Sequence, residues 1–300
     1  MRMCVVNLSR SIRVISLLLA MLAISPMRPV LAAEAKPGVP REMIEKLYYD
    51  QQPTLWDIID NLERERAGVV DLYFVGFAAS ADQDVFKREV LSVQQLFDRR
   101  FDTAGRSLIY VNSVDTIFKL PIATKTGLHW GLYWLGGVMN GEEDVLFLYL
   151  TSHGGKRHLS LALPPLKLEQ LWASQLKRML DDSGILWRVI VISGCYTGSF
   201  IDELKDANSL IITAAAADRP SFGCADGVDY TFWGKAYFDE ALRRETSFIV
   251  AFNAARSGVT VRELALGYDP SKPQIFIGSR IAAKLAALEA RLRPLAEPTQ

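Results

Sequence analysis

Apolar runs rich in β-branched and aromatic residues recur at VVDLYFVGFAA (69–79), RSLIYVNS (106–113), DVLFLYLTS (144–152), RVIVISG (188–194) and SLIITAAAA (209–217). Each has strand length and carries few polar positions for a face in water. Between them, DVFKREVLSVQQLFDRRF (84–101), TGLHWGLYWLGGVMN (126–140), LEQLWASQLKRMLDDSG (168–184) and YTGSFIDELKD (196–206) place apolar residues at helical spacing. Strands apolar on both faces and separated by helices predict an α/β three-layer sandwich, a mostly parallel central sheet with helices on both faces. RHLSLALP (157–164) predicts a short extra strand or hairpin, and DRPSFGCADGVD (218–229), with its proline and glycines, a loop. Helical patterns at 230–244 and 246–258, a late strand in KPQIFIG (272–278) and a terminal helix in SRIAAKLAALEARL (279–292), frayed past Pro294, complete the chain.

The ends divide from this core by composition. Arg2, Arg10 and Arg13 precede the apolar run VISLLLAMLAIS (14–25), and VLAAEA (30–35) supplies small residues for cleavage, so residues 1–33 read as a secretory signal peptide. An uncleaved anchor is the alternative; after cleavage no stable membrane span is expected. A polar lead-in or pro-segment (34–66), one domain (67–280) and a C-terminal helix and tail (281–300) follow. Losing four arginines and no acids leaves 30 basic residues against 34 acidic. That balance gives no footprint for nucleic acid. Cys4 leaves with the leader. The remaining Cys195 and Cys224 are too few for a disulfide scaffold, although a bridge between them stays open. No N-x-[ST] sequon follows the leader, which favours a periplasmic or otherwise secreted bacterial setting.

Candidate chemistry sits where two strands stop. DVLFLYLTSHGG ends in His153 and Gly154, and RVIVISGCYTG in Gly194 and Cys195. Open parallel sheets bind ligands at the carboxyl ends of their strands. If these two strands are neighbours, a thiol and its base meet over one rim. A thiol needs such a base, or the positive end of a helix, to become a thiolate, and a helix from Tyr196 would supply the second. The glycines admit close backbone approach, and the N–H groups of Gly154 and Cys195 could hold an oxyanion, each donor contributing about 2.7–4 kcal/mol. The bland alternatives are a buried structural cysteine and a satisfied core histidine.

Histidine scarcity narrows the classes. Only His129, His153 and His158 exist, and none follows Cys195. That order excludes α/β-hydrolases and papain-like proteases, whose histidine follows the nucleophile, and the G-x-S-x-G elbow is absent. His153 and His158 stand five apart without CxxC or HExxH spacing, so neither metal nor other cofactor is expected. His129 reads as a packing or surface residue.

The spaced pair YLTSHGGKRHLSLALPP and VIVISGCYTGSF resembles peptidase family C13, that of legumain and the GPI-transamidase catalytic subunit, within the caspase-like clan of cysteine peptidases. The resemblance runs from about Val69 to Gly278. It implies a caspase-like fold, His153 as acid/base, Cys195 as nucleophile, and Gly154 with Cys195 as the oxyanion hole. It also implies a polypeptide substrate, with Ser193 and Ser221 in the substrate pocket. Ser193 stands where legumain-like enzymes carry an acid. GFAASADQDVFKREV holds neither the asparagine nor a clean match to the arginine of that region, so no preference for Asn is carried over. The function implied is a cysteine-type endopeptidase. The alternatives are a transpeptidase or transamidase using the same dyad, and a non-catalytic caspase-like binding protein. Oligomeric state is not legible.

Overall fold

The computed structural model describes residues 38–296, and the expected leader, 1–33, lies outside them. The five apolar runs become β1 (Leu72–Ala78), β2 (Ser107–Val111), β3 (Val145–Thr151), β7 (Trp187–Ser193) and β8 (Ser209–Thr213). With the late strand β9 (Gln274–Ile277) they form one sheet in the order β2-β1-β3-β7-β8-β9. All pairings are parallel except that of β9, which runs antiparallel to β8.

Strand alternation sorts the core into two layers. Phe74, Phe147, Tyr149, Val189, Val191 and Ile212 face one side, where they meet α2 (Val85–Arg100), α7 (Phe248–Ala265) and α8 (Ile281–Ala296). Tyr73, Val75, Phe77, Leu148, Leu150 and Ile190 face the other, against α1 (Ile44–Asp60), α3 (Lys125–Val138) and α4 (Ala173–Asp182). The period of two explains why these strands are apolar throughout: both faces are buried. Residues read as lead-in thus include α1, whose Leu55 and Ile59 join the second layer. The terminal helix joins the first through Ile281, Leu285, Leu288 and Leu292, and it continues through Pro294 to Ala296.

The hairpin expected after His153 is a separate small sheet of β4 (Gly154–Gly155), β5 (His158–Leu159) and β6 (Leu171–Trp172), in antiparallel pairs. Two expected helices differ. YTGSFIDELKD winds only as a 3₁₀ turn, Thr197–Phe200, and one α turn, α5 (Ile201–Leu204). The pattern at 230–244 opens as α6 (Phe232–Gly234), capped by the Thr231 hydroxyl, and widens into a π-helix over Lys235–Ala241.

Strand order places the topological switch point between β1 and β3: the chain steps outward from β1 to β2, then returns to the other side of β1. Crevices form at the carboxyl end of such a point because the flanking loops diverge there.

Candidate active site

β3 and β7 pair in register, Thr151 opposite Ser193, and the Ser152 N–H donates to the Ser193 carbonyl at 3.1 Å. His153 and Cys195 each lie two residues past that matched pair, on the same rim. Their backbones touch there. A Cβ on Gly154 would lie 2.2 Å from the Cys195 carbonyl oxygen, and one on Gly194 would lie 2.7 Å from that of Ser152. Only glycine fits at either position. The Ser160 N–H donates to the His153 carbonyl at 2.9 Å. Alternation in an antiparallel pair then makes Gly154–Leu159 non-hydrogen-bonded, so the Gly154 N–H points away from β5.

The nucleophile candidate is half-buried and its thiol is free. Its Sγ lies 3.3 Å from the Ser221 N–H and 3.9 Å from the Ser221 hydroxyl, and the thiol can donate to the Ser221 carbonyl at 3.5 Å. Ser221 thus meets the sulfur mainly through its main chain. The helix expected from Tyr196 is short: Tyr196 has a left-handed φ of 61°, and only eight residues of 3₁₀ and α turn follow it. A donor from the 218–229 loop, the Ser221 N–H, also faces the sulfur. The loop is fixed beside Cys195 by the Tyr196 N–H, which donates to the Arg219 carbonyl at 2.8 Å. Cys224, on the same loop, is also a free thiol, so no Cys195–Cys224 bridge exists in this structure. Burial pushes the Cys224 thiol up to about 12, with Glu89 and Cys195 adding to the rise.

The imidazole of His153 is held by two residues from the segment after β1. Its Nε2 is hydrogen-bonded to Gln83 Oε1, and the Phe86 ring meets it edge to face, with centroids 5.1 Å apart. Gln83 occupies the β1–α2 loop and Phe86 the first turn of α2, so the ring at the end of β3 is held across the switch point from the β1 side.

A fully buried acid lies on the same helix face. Glu89 accepts from the hydroxyls of Tyr149 and Thr151, the latter at 3.2 Å, and from the N–H and hydroxyl of Thr231 at 2.6 and 2.9 Å. Burial pushes its carboxyl up from the ordinary range, and those donors pull against the rise. Ser193 joins this group from β7, its hydroxyl 3.4 Å from that of Thr231. Ser193 is therefore buried beneath the rim, whereas Ser221 is only half-buried beside the sulfur.

The other histidines stand apart in chemistry. His129 Nε2 lies 3.1 Å from an Asp182 carboxylate oxygen at the surface, and His158 packs its ring on Trp172. Sequence reading overlooked Gln83 and Glu89. Glu89 had a signal: an acid four residues from Val85 and from Val93, inside the apolar stripe of its helix. Gln83 had only its place in a loop at the carboxyl end of a strand.

Residues 135–283 match the Peptidase C13 family. The fold is similar to the crystal structure of caspase-1 from Spodoptera frugiperda, with a TM-score of 0.50 and 11% identity over 73% of this chain and 90% of that one. No curated protein matches the sequence.

Proposed function

With residues 135–283 matching the peptidase C13 family on a caspase-like fold, we propose that the protein is a cysteine-type endopeptidase acting through Cys195 and His153. The observation that carries this reading is the in-register ending of β3 and β7, with the Gly154 backbone against that of Cys195. Cys195 Sγ attacks the carbonyl carbon of the scissile peptide bond, and the carbonyl oxygen becomes an oxyanion. The N–H groups of Gly154 and Cys195 are the donors for that charge. The proton that leaves the thiol passes through His153 to the departing amine, and the acyl group stays on sulfur as a thioester. Water, deprotonated by the same imidazole, then releases the acid and restores the thiol. The Ser221 N–H lies 3.3 Å from Sγ, on the pocket side of the sulfur.

Ser221 and the 218–229 loop form one wall of the substrate pocket, and a polypeptide is the substrate. The leader at 1–33 fits export, so the enzyme works outside the cytoplasm. Cleavage of a mixed peptide library, followed by mass spectrometry, tests the reading. Cys195→Ala and His153→Ala are expected to remove cleavage while keeping the wild-type melting temperature within a few degrees. Undiminished cleavage by the Cys195→Ala protein contradicts it.

A further inference from the structure

Gln83 faces the reacting imidazole, yet the dyad chemistry assigns it no part. We propose that Gln83 is the positioning residue of this active site, fixing the His153 tautomer so that Nδ1 is the nitrogen that exchanges protons with Cys195 and the leaving amine. This rests on the peptidase reading above and deepens it.

The Gln83 oxygen can only accept, so its partner Nε2 carries the proton. In neutral imidazole the other nitrogen, Nδ1, then holds the lone pair. When Nδ1 takes the thiol proton, the Nε2–H bond to Gln83 becomes charge-assisted and strengthens, stabilising the imidazolium and with it the thiolate. An amide does this without competing for the proton itself. The ring has little freedom to turn away, because Phe86 is fully buried and packs edge to face on it.

Gln83 is itself held on a fixed segment. The Ala81 N–H donates to the Ala162 carbonyl at 2.8 Å, and the Asp82 N–H to the Ser80 hydroxyl at 3.2 Å. On the other side, the Asp84 N–H donates to Asp226 at 2.9 Å, and the Asp84 carboxylate accepts from the Gly227 N–H at 3.0 Å and from Arg88 at 2.9 Å. The ionisable groups on the elements packed around the ring are thus the paired Asp84 and Arg88, Lys87 with its partner Asp115, Asp226, the buried Glu89 and the Cys195 thiol. The loop after β1 and the strand end of β3 meet across the switch point, and Gln83 is the bond that joins them to the chemistry.

The test is alkylation of Cys195 by iodoacetamide across pH in the full chain, for wild type, Gln83→Leu, Gln83→Glu and His153→Ala. Stabilising the imidazolium lets the thiolate persist to lower pH. The midpoint of the acid limb is therefore expected to fall in the order His153→Ala highest, then Gln83→Leu, wild type and Gln83→Glu. Near pH 6 the Gln83→Leu rate should drop about tenfold, the loss of one charge-assisted hydrogen bond. On peptides, Gln83→Leu should lower kcat about 100-fold with KM little changed, the expected cost of a misaligned group. A merely structural loop residue would not move the midpoint in opposite directions for Leu and Glu. A wild-type profile in Gln83→Leu, with His153→Ala still displaced, overturns the role of Gln83 alone. A profile that His153→Ala leaves unchanged overturns the dyad, and this inference with it.

Discussion

Two residues show how little slack the site has. Glu89 is buried among four donors, so Glu89→Ala leaves the hydroxyls of Tyr149, Thr151 and Thr231 and one N–H without their acceptor. That change is expected to cost at least about 1–3 kcal/mol in urea unfolding, the penalty for a buried donor left unpaired. Its pH sign follows from burial. The folded carboxyl keeps its proton to higher pH than the unfolded one, whose ordinary value is 4.5. The stabilisation this gives is fully present below 4.5 and is lost as pH rises through the folded value. Unfolding free energy of the wild type, measured from pH 4 upward against Glu89→Gln, should decline by that contribution. Gly154 is the second case. A methyl there meets the Cys195 carbonyl oxygen, so Gly154→Ala should separate the two strand ends and abolish peptide cleavage at little cost to far-UV circular dichroism. At the same scale, the raised Cys224 thiol should stay unlabelled by iodoacetamide at pH 7.5 while Cys195 reacts, which peptide mapping checks.

At the scale of elements, strands were the most legible part of the chain. β1, β3 and β7 are buried on both faces, so their composition alone marks them as central. The segment 196–206 misled because its apolar spacing is helical over too few residues to nucleate a helix by itself. Packing decides there: a Cβ on Gly198 would lie 2.6 Å from the Ala217 nitrogen, so the turn after Cys195 lies flat against the 214–217 segment. The early helix α1 hid in a polar stretch because only Leu47, Leu55 and Ile59 along it are buried, and Pro53 interrupts the pattern. Of the site, His153 and Cys195 could be found because two strand ends broke the same way. Gln83 could not, because a hydrogen bond across a switch point leaves no trace in local periodicity. The helix α8 gives this scale its prediction. Leu288 is fully buried in the first core layer, so Leu288→Ala should destabilise the fold by about 2–5 kcal/mol in a denaturant titration.

Over the whole molecule, the order β2-β1-β3-β7-β8 brings three loops to one rim: those after β1, β3 and β7. The loop after β8 closes over them through Ser221 and Arg219. Together these loops carry Gln83, His153, Cys195 and Ser221. Strand register, set by burial on both faces, therefore fixes how His153 and Cys195 stand on that rim. The measurement that tests this most directly is acid-quenched mass spectrometry of the protein mixed with an activated peptide ester, mapping any acyl adduct by digestion. The account predicts a thioester on Cys195 that forms in wild type, is lost with Cys195→Ala and is strongly reduced with His153→Ala. An adduct on another residue, or one on Cys195 that forms equally fast without His153, would contradict it.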